Sequence, residues 1–124
     1  MTKQKETEFK LLVNKAIEGI QEKKGRNITI LDLTELDNTI TDYFIICDAD
    51  SNVHVEAIAD SVEDYVRQNA SEKPFHIEGK KNAQWILLDY LDVIVHVFLR
   101  PTRDFYDLES LWADSKRTDI ANLF

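Results

Sequence analysis

Several side chains in this sequence are of types that do chemistry. Cys47 ends an apolar run, and Asp48 and Asp50 follow it directly. Two carboxylates in an Asp-x-Asp spacing on a strand lie on one face and can share a divalent cation, as nucleotidyl transfer requires. Here they stand at a strand end, just before a helical pattern, where Asp and Ser also serve as caps and dipole partners. No Gly-Ser phosphate-binding loop precedes them, and no Gly-rich run occurs anywhere, so P-loop and dinucleotide signatures are absent. The capping role is therefore preferred to a metal site. A nucleophilic cysteine needs a base and an electropositive setting. The acids beside Cys47 oppose this, and a buried small hydrophobe is the expected role. His54, His76 and His96 show no metal-ligand spacing. No metal and no cofactor is expected.

Trp85 is more informative. Alternation puts Trp85, Leu87 and Asp89 on one face of a strand and Ile86, Leu88 and Tyr90 on the other. If helices pack on Ile86 and Leu88, Trp85 and Leu87 lie beside Asp89 on a more open face. A tryptophan ringed by acids there is a candidate interface anchor. The competing reading is a tryptophan covered by the first or the last helix. His96 alternates with Ile94 and Phe98, where a structural histidine is the default and partner contact the alternative.

The elements that position these residues follow from periodicity. Phe9, Leu12, Val13, Ala16, Ile17 and Ile20 predict an amphipathic helix over Glu6–Lys24, with Gly25 just past its end. Residues 28–33 and 43–47 read as strands, the second as a buried central one. A second helix is expected over Val53–Gln68, with cap candidates among residues 48–52. Residues 75–78 form a short strand ended by Gly79. Residues 85–90 and 93–99 form an antiparallel hairpin. Pro101 stops the last strand, and Thr102 caps a helix over Arg103–Ala113 with Phe105, Leu108, Leu111 and Trp112 as its apolar stripe. Residues 1–113 then form one domain and residues 114–124 a C-terminal tail. The order α-β-β-α-β-β-β-α implies an α/β fold with a single mixed sheet of about five strands flanked by helices.

Size and charge narrow the function. The chain has 124 residues, 44% of them hydrophobic, and a formal charge of −8. Such a chain buries about two-thirds of its surface on folding, enough for a core without disulfides or structural metal. One cysteine cannot form an intramolecular disulfide, which favours a reducing compartment. No apolar run approaches a membrane span and the N-terminus lacks a signal-peptide core, so a soluble, cytoplasmic protein is expected. Residues 1–26 hold seven basic and four acidic groups; residues 27–124 hold eight basic and nineteen acidic. Between Arg26 and Arg67 there are ten acids and no Lys or Arg. The acidic body is either a solvated surface or one complementary to a basic protein, and direct nucleic-acid binding by it is disfavoured. From the residues alone, the chain reads as a binding domain rather than an enzyme.

Five segments, in order and spacing, carry a family resemblance. They are Asp42-Tyr43-Phe44-Ile45-Ile46; Ser51-x-x-His54-Val55-x-Ala57-Ile58-Ala59-Asp60; Glu78-Gly79; Trp85-x-Leu87-Leu88-Asp89-Tyr90-x-Asp92-Val93-x-Val95-His96-Val97-Phe98; and Arg103-x-Phe105-Tyr106-x-Leu108-Glu109-x-Leu111-Trp112. From about Phe9 to Trp112 the chain resembles the Iojap/RsfS family of ribosomal silencing factors. The resemblance implies a nucleotidyltransferase-like fold without catalysis. It also implies binding to the large ribosomal subunit through a basic ribosomal protein, large-subunit protein fourteen. Bound there, the factor would block joining of the small subunit and repress translation when nutrients are scarce. Carried onto this sequence, it points to Glu78, Trp85, Asp89, Tyr90, His96, Tyr106 and Glu109 as the partner surface, with Arg103 a structural tie to an acidic sheet edge. Leu91 stands where the family usually has Gly in the hairpin turn, and Leu is disfavoured at φ > 0. Two alternatives remain: a metal-dependent nucleotidyltransferase-like enzyme using Asp48-x-Asp50, and a homodimeric adaptor in which Trp85 serves self-association.

Overall fold

The two most continuous apolar runs become the central strands. In the computed structural model, which describes residues 10–123, β2 (Tyr43–Ala49) is buried throughout and pairs in parallel with β5 (Val93–Leu99). Around this pair the other strands are antiparallel: β1 (Arg26–Asp32) on β2, β4 (Trp85–Asp89) on β5, and β3 (His76–Glu78) on β4. The sheet is mixed and flanked by helices, as expected, but it has six strands rather than five, in the order β3-β4-β5-β2-β1-β6.

The sixth strand corrects the expected C-terminal tail. β6 (Lys116–Asp119) pairs antiparallel with β1, from Asp32↔Lys116 to Thr29↔Asp119. All four of its residues are exposed, so it carries none of the alternation that marks a half-buried strand. Backbone pairing and the 2.9 Å Thr29–Asp119 hydrogen bond hold it instead.

Helices α1 (Leu11–Glu22) and α2 (Asn52–Ala70) pack side by side on one sheet face. Leu12, Val13, Ala16 and Ile20 of α1 meet Val55, Ile58, Ala59 and Val62 of α2 over Ile45, Ile86, Leu88, Val95 and Val97. The Glu6–Phe9 part of the expected first helix lies outside the described residues. Ser51 caps α2, its Oγ accepting from the His54 N–H at 3.1 Å. At the end of α1 the left-handed residue is Lys24 (φ 61°), not Gly25. Gly25 donates to the Ile20 carbonyl at 2.9 Å and Lys24 to the Gln21 carbonyl at 3.0 Å, the two bonds of a Schellman motif. Gly25 is needed for room: a Cβ there would stand 2.4 Å from Ile20 Cγ2.

The opposite face has a smaller core of Leu31, Leu33, Phe44, Ile46, Ile94 and Phe98, partly covered by the last two helices. The expected helix over Arg103–Ala113 is two short ones, α3 (Arg100–Tyr106) and α4 (Leu108–Leu111), broken at Asp107 with φ 46°. Pro101 lies in the first turn of α3, where its missing N–H costs no hydrogen bond, and Thr102 is not the cap. The break rotates the apolar stripe apart. Leu108 and Trp112 pack on the sheet, while Phe105 and Leu111 face solvent.

Candidate functional site

Burial alternates strictly along β4: Ile86 and Leu88 lie under the helices, and Trp85, Leu87 and Asp89 are half-buried on the other face. Strand register then dictates their neighbours. Trp85 pairs with Phe98, Leu87 with His96 and Asp89 with Ile94 on β5. On the outer side, Glu78 pairs with Leu87 and His76 with Asp89. The same face therefore runs from two exposed polar residues on the edge strand to an aromatic cluster at the centre.

α3 completes that cluster. It leaves β5 directly, through Leu99, and brings Tyr106 back over the strand ends. The Tyr106 ring centroid is 4.8 Å from that of Trp85, and Trp85 stacks on Phe98 at 4.8 Å. Phe105 meets Tyr106 edge-on at 5.0 Å and is 80% exposed; Tyr106 is 50% exposed. Under this group His96 lies buried at 4% exposure, edge-on to Phe44 at 4.7 Å. Burial pushes its imidazole down to about 3, so the ring is neutral at physiological pH. Its Nδ1 accepts the Trp85 indole N–H at 3.0 Å.

The acids rim this aromatic centre. Glu78 is exposed and hydrogen-bonds His76 across one residue of β3. Asp89 accepts from the Leu91 N–H at 2.8 Å and is half-buried on the same face. Gly79 makes the edge possible: its φ is 93°, and a Cβ there would collide with the Trp85 carbonyl at 2.0 Å. The surface thus offers flat aromatic area with carboxylates beside it, the chemistry that suits a partner with Arg or Lys around an apolar contact.

Of the seven residues expected to contact a partner, Glu78, Trp85, Asp89 and Tyr106 come together here. Tyr90 and His96 do not reach the surface. Tyr90 is 3% exposed and belongs to the core under the helices, and His96 supports Trp85 from below. Glu109 is committed elsewhere, its carboxylate bound by Arg103. Leu87 and Phe105 join the surface, although the sequence placed Phe105 in a buried stripe. Only the break at Asp107 turns it outward, and an Asp followed by Leu-Glu-x-Leu gives little warning of that break.

The Asp48-x-Asp50 pair is not a free carboxylate site. Asp48, 2% exposed, binds Arg100, Arg103 and Asn27, and Asp50 binds Arg100. Arg103 is the structural tie expected of it. Cys47 is fully buried beside them, and burial pushes its thiol far above the ordinary range, away from nucleophilic use. Among the described residues no group of three or more His, Cys, Asp or Glu could hold a metal ion. No helix of the described chain is long and apolar enough to cross a membrane.

Comparison with known proteins identifies the family. The family described as ribosomal silencing factor during starvation matches residues 5–123. The ribosomal silencing factor RsfS of Bacillus subtilis is 34% identical over 111 residues, covering 90% of this chain and 92% of its own. The mouse protein named mitochondrial assembly of ribosomal large subunit protein 1 is 30% identical over 95 residues, covering 75% of this chain and 41% of its own. A crystal structure of a Chromobacterium violaceum protein superimposes with a TM-score of 0.78 at 34% identity, covering 91% of this chain and 90% of that one.

Proposed function

The chain belongs to the family of ribosomal silencing factors during starvation, and we propose that it binds the large ribosomal subunit through the Trp85–Tyr106 face and keeps the small subunit from joining. The family is one of regulators, not of known enzymes. The mechanism is occupancy: no bond is made or broken, so affinity and position decide the outcome. The partner is a basic ribosomal protein, large-subunit protein fourteen, whose cations meet Glu78 and Asp89 while an apolar contact covers Trp85, Leu87 and Tyr106. One observation carries this reading. The half-open sheet face combines stacked aromatics with an acidic rim, in a body that leaves its other core face fully covered by α1 and α2.

The mouse relative's name, which places it in assembly of the ribosomal large subunit, supports the choice of subunit. Co-sedimentation with purified large subunits tests the proposal, followed by addition of small subunits on a sucrose gradient. Wild-type protein is expected to travel with large subunits and to reduce joined ribosomes, and Trp85→Ala to do neither. Failure of the wild type to co-sediment at low salt overturns the proposal.

A second reading rests on the exposure of Phe105 and Tyr106. The same face would pair two copies of the free chain. Light scattering with and without Trp85→Ala tests it, and a monomer at all concentrations rejects it.

A further inference from the structure

An indole on a half-open sheet face has one polar atom to orient it. In Trp85 that atom, Nε1, donates to Nδ1 of His96 at 3.0 Å. His96 is itself buried and enclosed by aromatic rings. It sits on the central part of β5, between Leu87 and Ile46 in register, with Phe44 edge-on at 4.7 Å and Phe98 stacked beside it. Accepting at Nδ1 requires the tautomer protonated at Nε2. That Nε2 is buried with no hydrogen-bond partner among the described residues. A leucine or phenylalanine at this position would bring no orphaned polar atom of its own, so the buried Nε2 is a cost to the core. What it supplies in return is an acceptor under Trp85, and nothing else described around it uses that acceptor.

We propose that His96 is a positioning residue for docking: it fixes the Trp85 indole in the plane that also fits Tyr106, so that the aromatic face is preformed before the partner arrives. This rests on the docking reading above. A preformed face binds more tightly because less side-chain freedom is lost on association. His96 touches no partner atom and acts only through Trp85.

Three full-length variants test this by co-sedimentation with purified large subunits. His96→Leu removes the acceptor and is expected to weaken binding about tenfold, as loss of a preorganised aromatic anchor does. His96→Asn places a carbonyl oxygen near the position of Nδ1 and is expected to bind within about threefold of wild type. Trp85→Phe removes the donor; adding His96→Leu to it should cost nothing further, because the hydrogen bond is already gone. In 15N-labelled protein the Trp85 indole N–H, assigned by its disappearance in Trp85→Phe, should exchange faster with water in His96→Leu and stay protected in His96→Asn. The thermal midpoint of His96→Leu should not fall, which separates positioning from a folding defect. Wild-type binding by His96→Leu, or additive losses in the double variant, overturns the positioning role while the docking reading stands. Absence of wild-type binding overturns the docking reading, and the positioning role with it.

Discussion

Arg103 donates to Asp48 at 3.0 Å where α3 crosses the end of β2, and both side chains are almost out of solvent. All five guanidinium N–H groups are used: two on Glu109, one on Asp48, one on Thr29 and one on the Asn27 carbonyl. The arginine therefore joins β1, β2, α3 and α4 at one point. Replacing it by Met should cost about 3 kcal/mol or more in urea unfolding, because the largely buried Glu109 loses its cation and buried Asp48 keeps only Arg100. Arg103→Lys should recover little of this, since one ammonium cannot reproduce the fork.

Leu91 sits at φ 77° in the β4–β5 turn, and the Asp92 N–H donates to the Tyr90 carbonyl at 3.1 Å across it, a γ-turn. The expected difficulty of Leu at this position is thus present in the backbone, with its side chain 51% exposed. Leu91→Gly should raise stability by about 1 kcal/mol, the relieved strain exceeding the added chain entropy. Thermal melts of the two proteins check this.

His96 also makes stability depend on pH. Its folded value, about 3, lies below the ordinary 6.5, so the unfolded chain takes up a proton that the folded chain refuses. The stability it contributes is complete above pH 6.5 and is lost as pH falls toward 3. The slope should reach about 1.4 kcal/mol per pH unit for this one proton. Lys10 holds the Asp92 carboxyl below its ordinary 3.8, which adds a loss of the same sign only at lower pH. Urea titrations between pH 7 and about pH 4.5 should show the slope in wild type and a flatter curve in His96→Asn.

Docking should divide the surface by edge. Tyr106→Ala is expected to cost about 1–2 kcal/mol of large-subunit affinity, and Glu78→Lys to slow association and reduce its salt dependence. Lys116→Ala, on the opposite edge strand, should change neither. Equal losses at both edges would place the contact elsewhere.

Removal of residues 114–124 should do more than trim an end. It strips β6 from β1 and exposes the β1 edge, including the backbone of Ile30. Lower stability and concentration-dependent association in light scattering are expected.

The strands that build the site were legible in the sequence because their patterns are strong. Ile86 and Leu88 alternate with Trp85 and Leu87, and Val93–Leu99 is apolar throughout, so the hairpin and the faces of its residues followed directly. β6 was not legible, because Lys116, Arg117, Thr118 and Asp119 are held by backbone bonds that side-chain pattern does not report. The grouping of the candidate surface residues was legible in part. Glu78, Trp85, Asp89 and Tyr106 share a face, but burial of His96 depends on Trp85, Phe44 and Phe98 packing around it. Burial of Tyr90 depends on which face the helices cover. Both are tertiary facts, and residue type carries no trace of them. The fate of Glu109 likewise depended on the turn at Asp107 bringing it to Arg103.

The order of the sheet also sets when the molecule can exist. β2 is made early, yet one of its two neighbours is β5, and β4 also needs β5 to join the rest. β5, α3 and β6 follow β1 to β4 in the chain. Until β5 is made, the two halves of the sheet have no strand to connect them, and Trp85 has neither Phe98 nor Tyr106 beside it. The aromatic face around Trp85 is thus assembled only once β5 and α3 have been made, after β1 to β4.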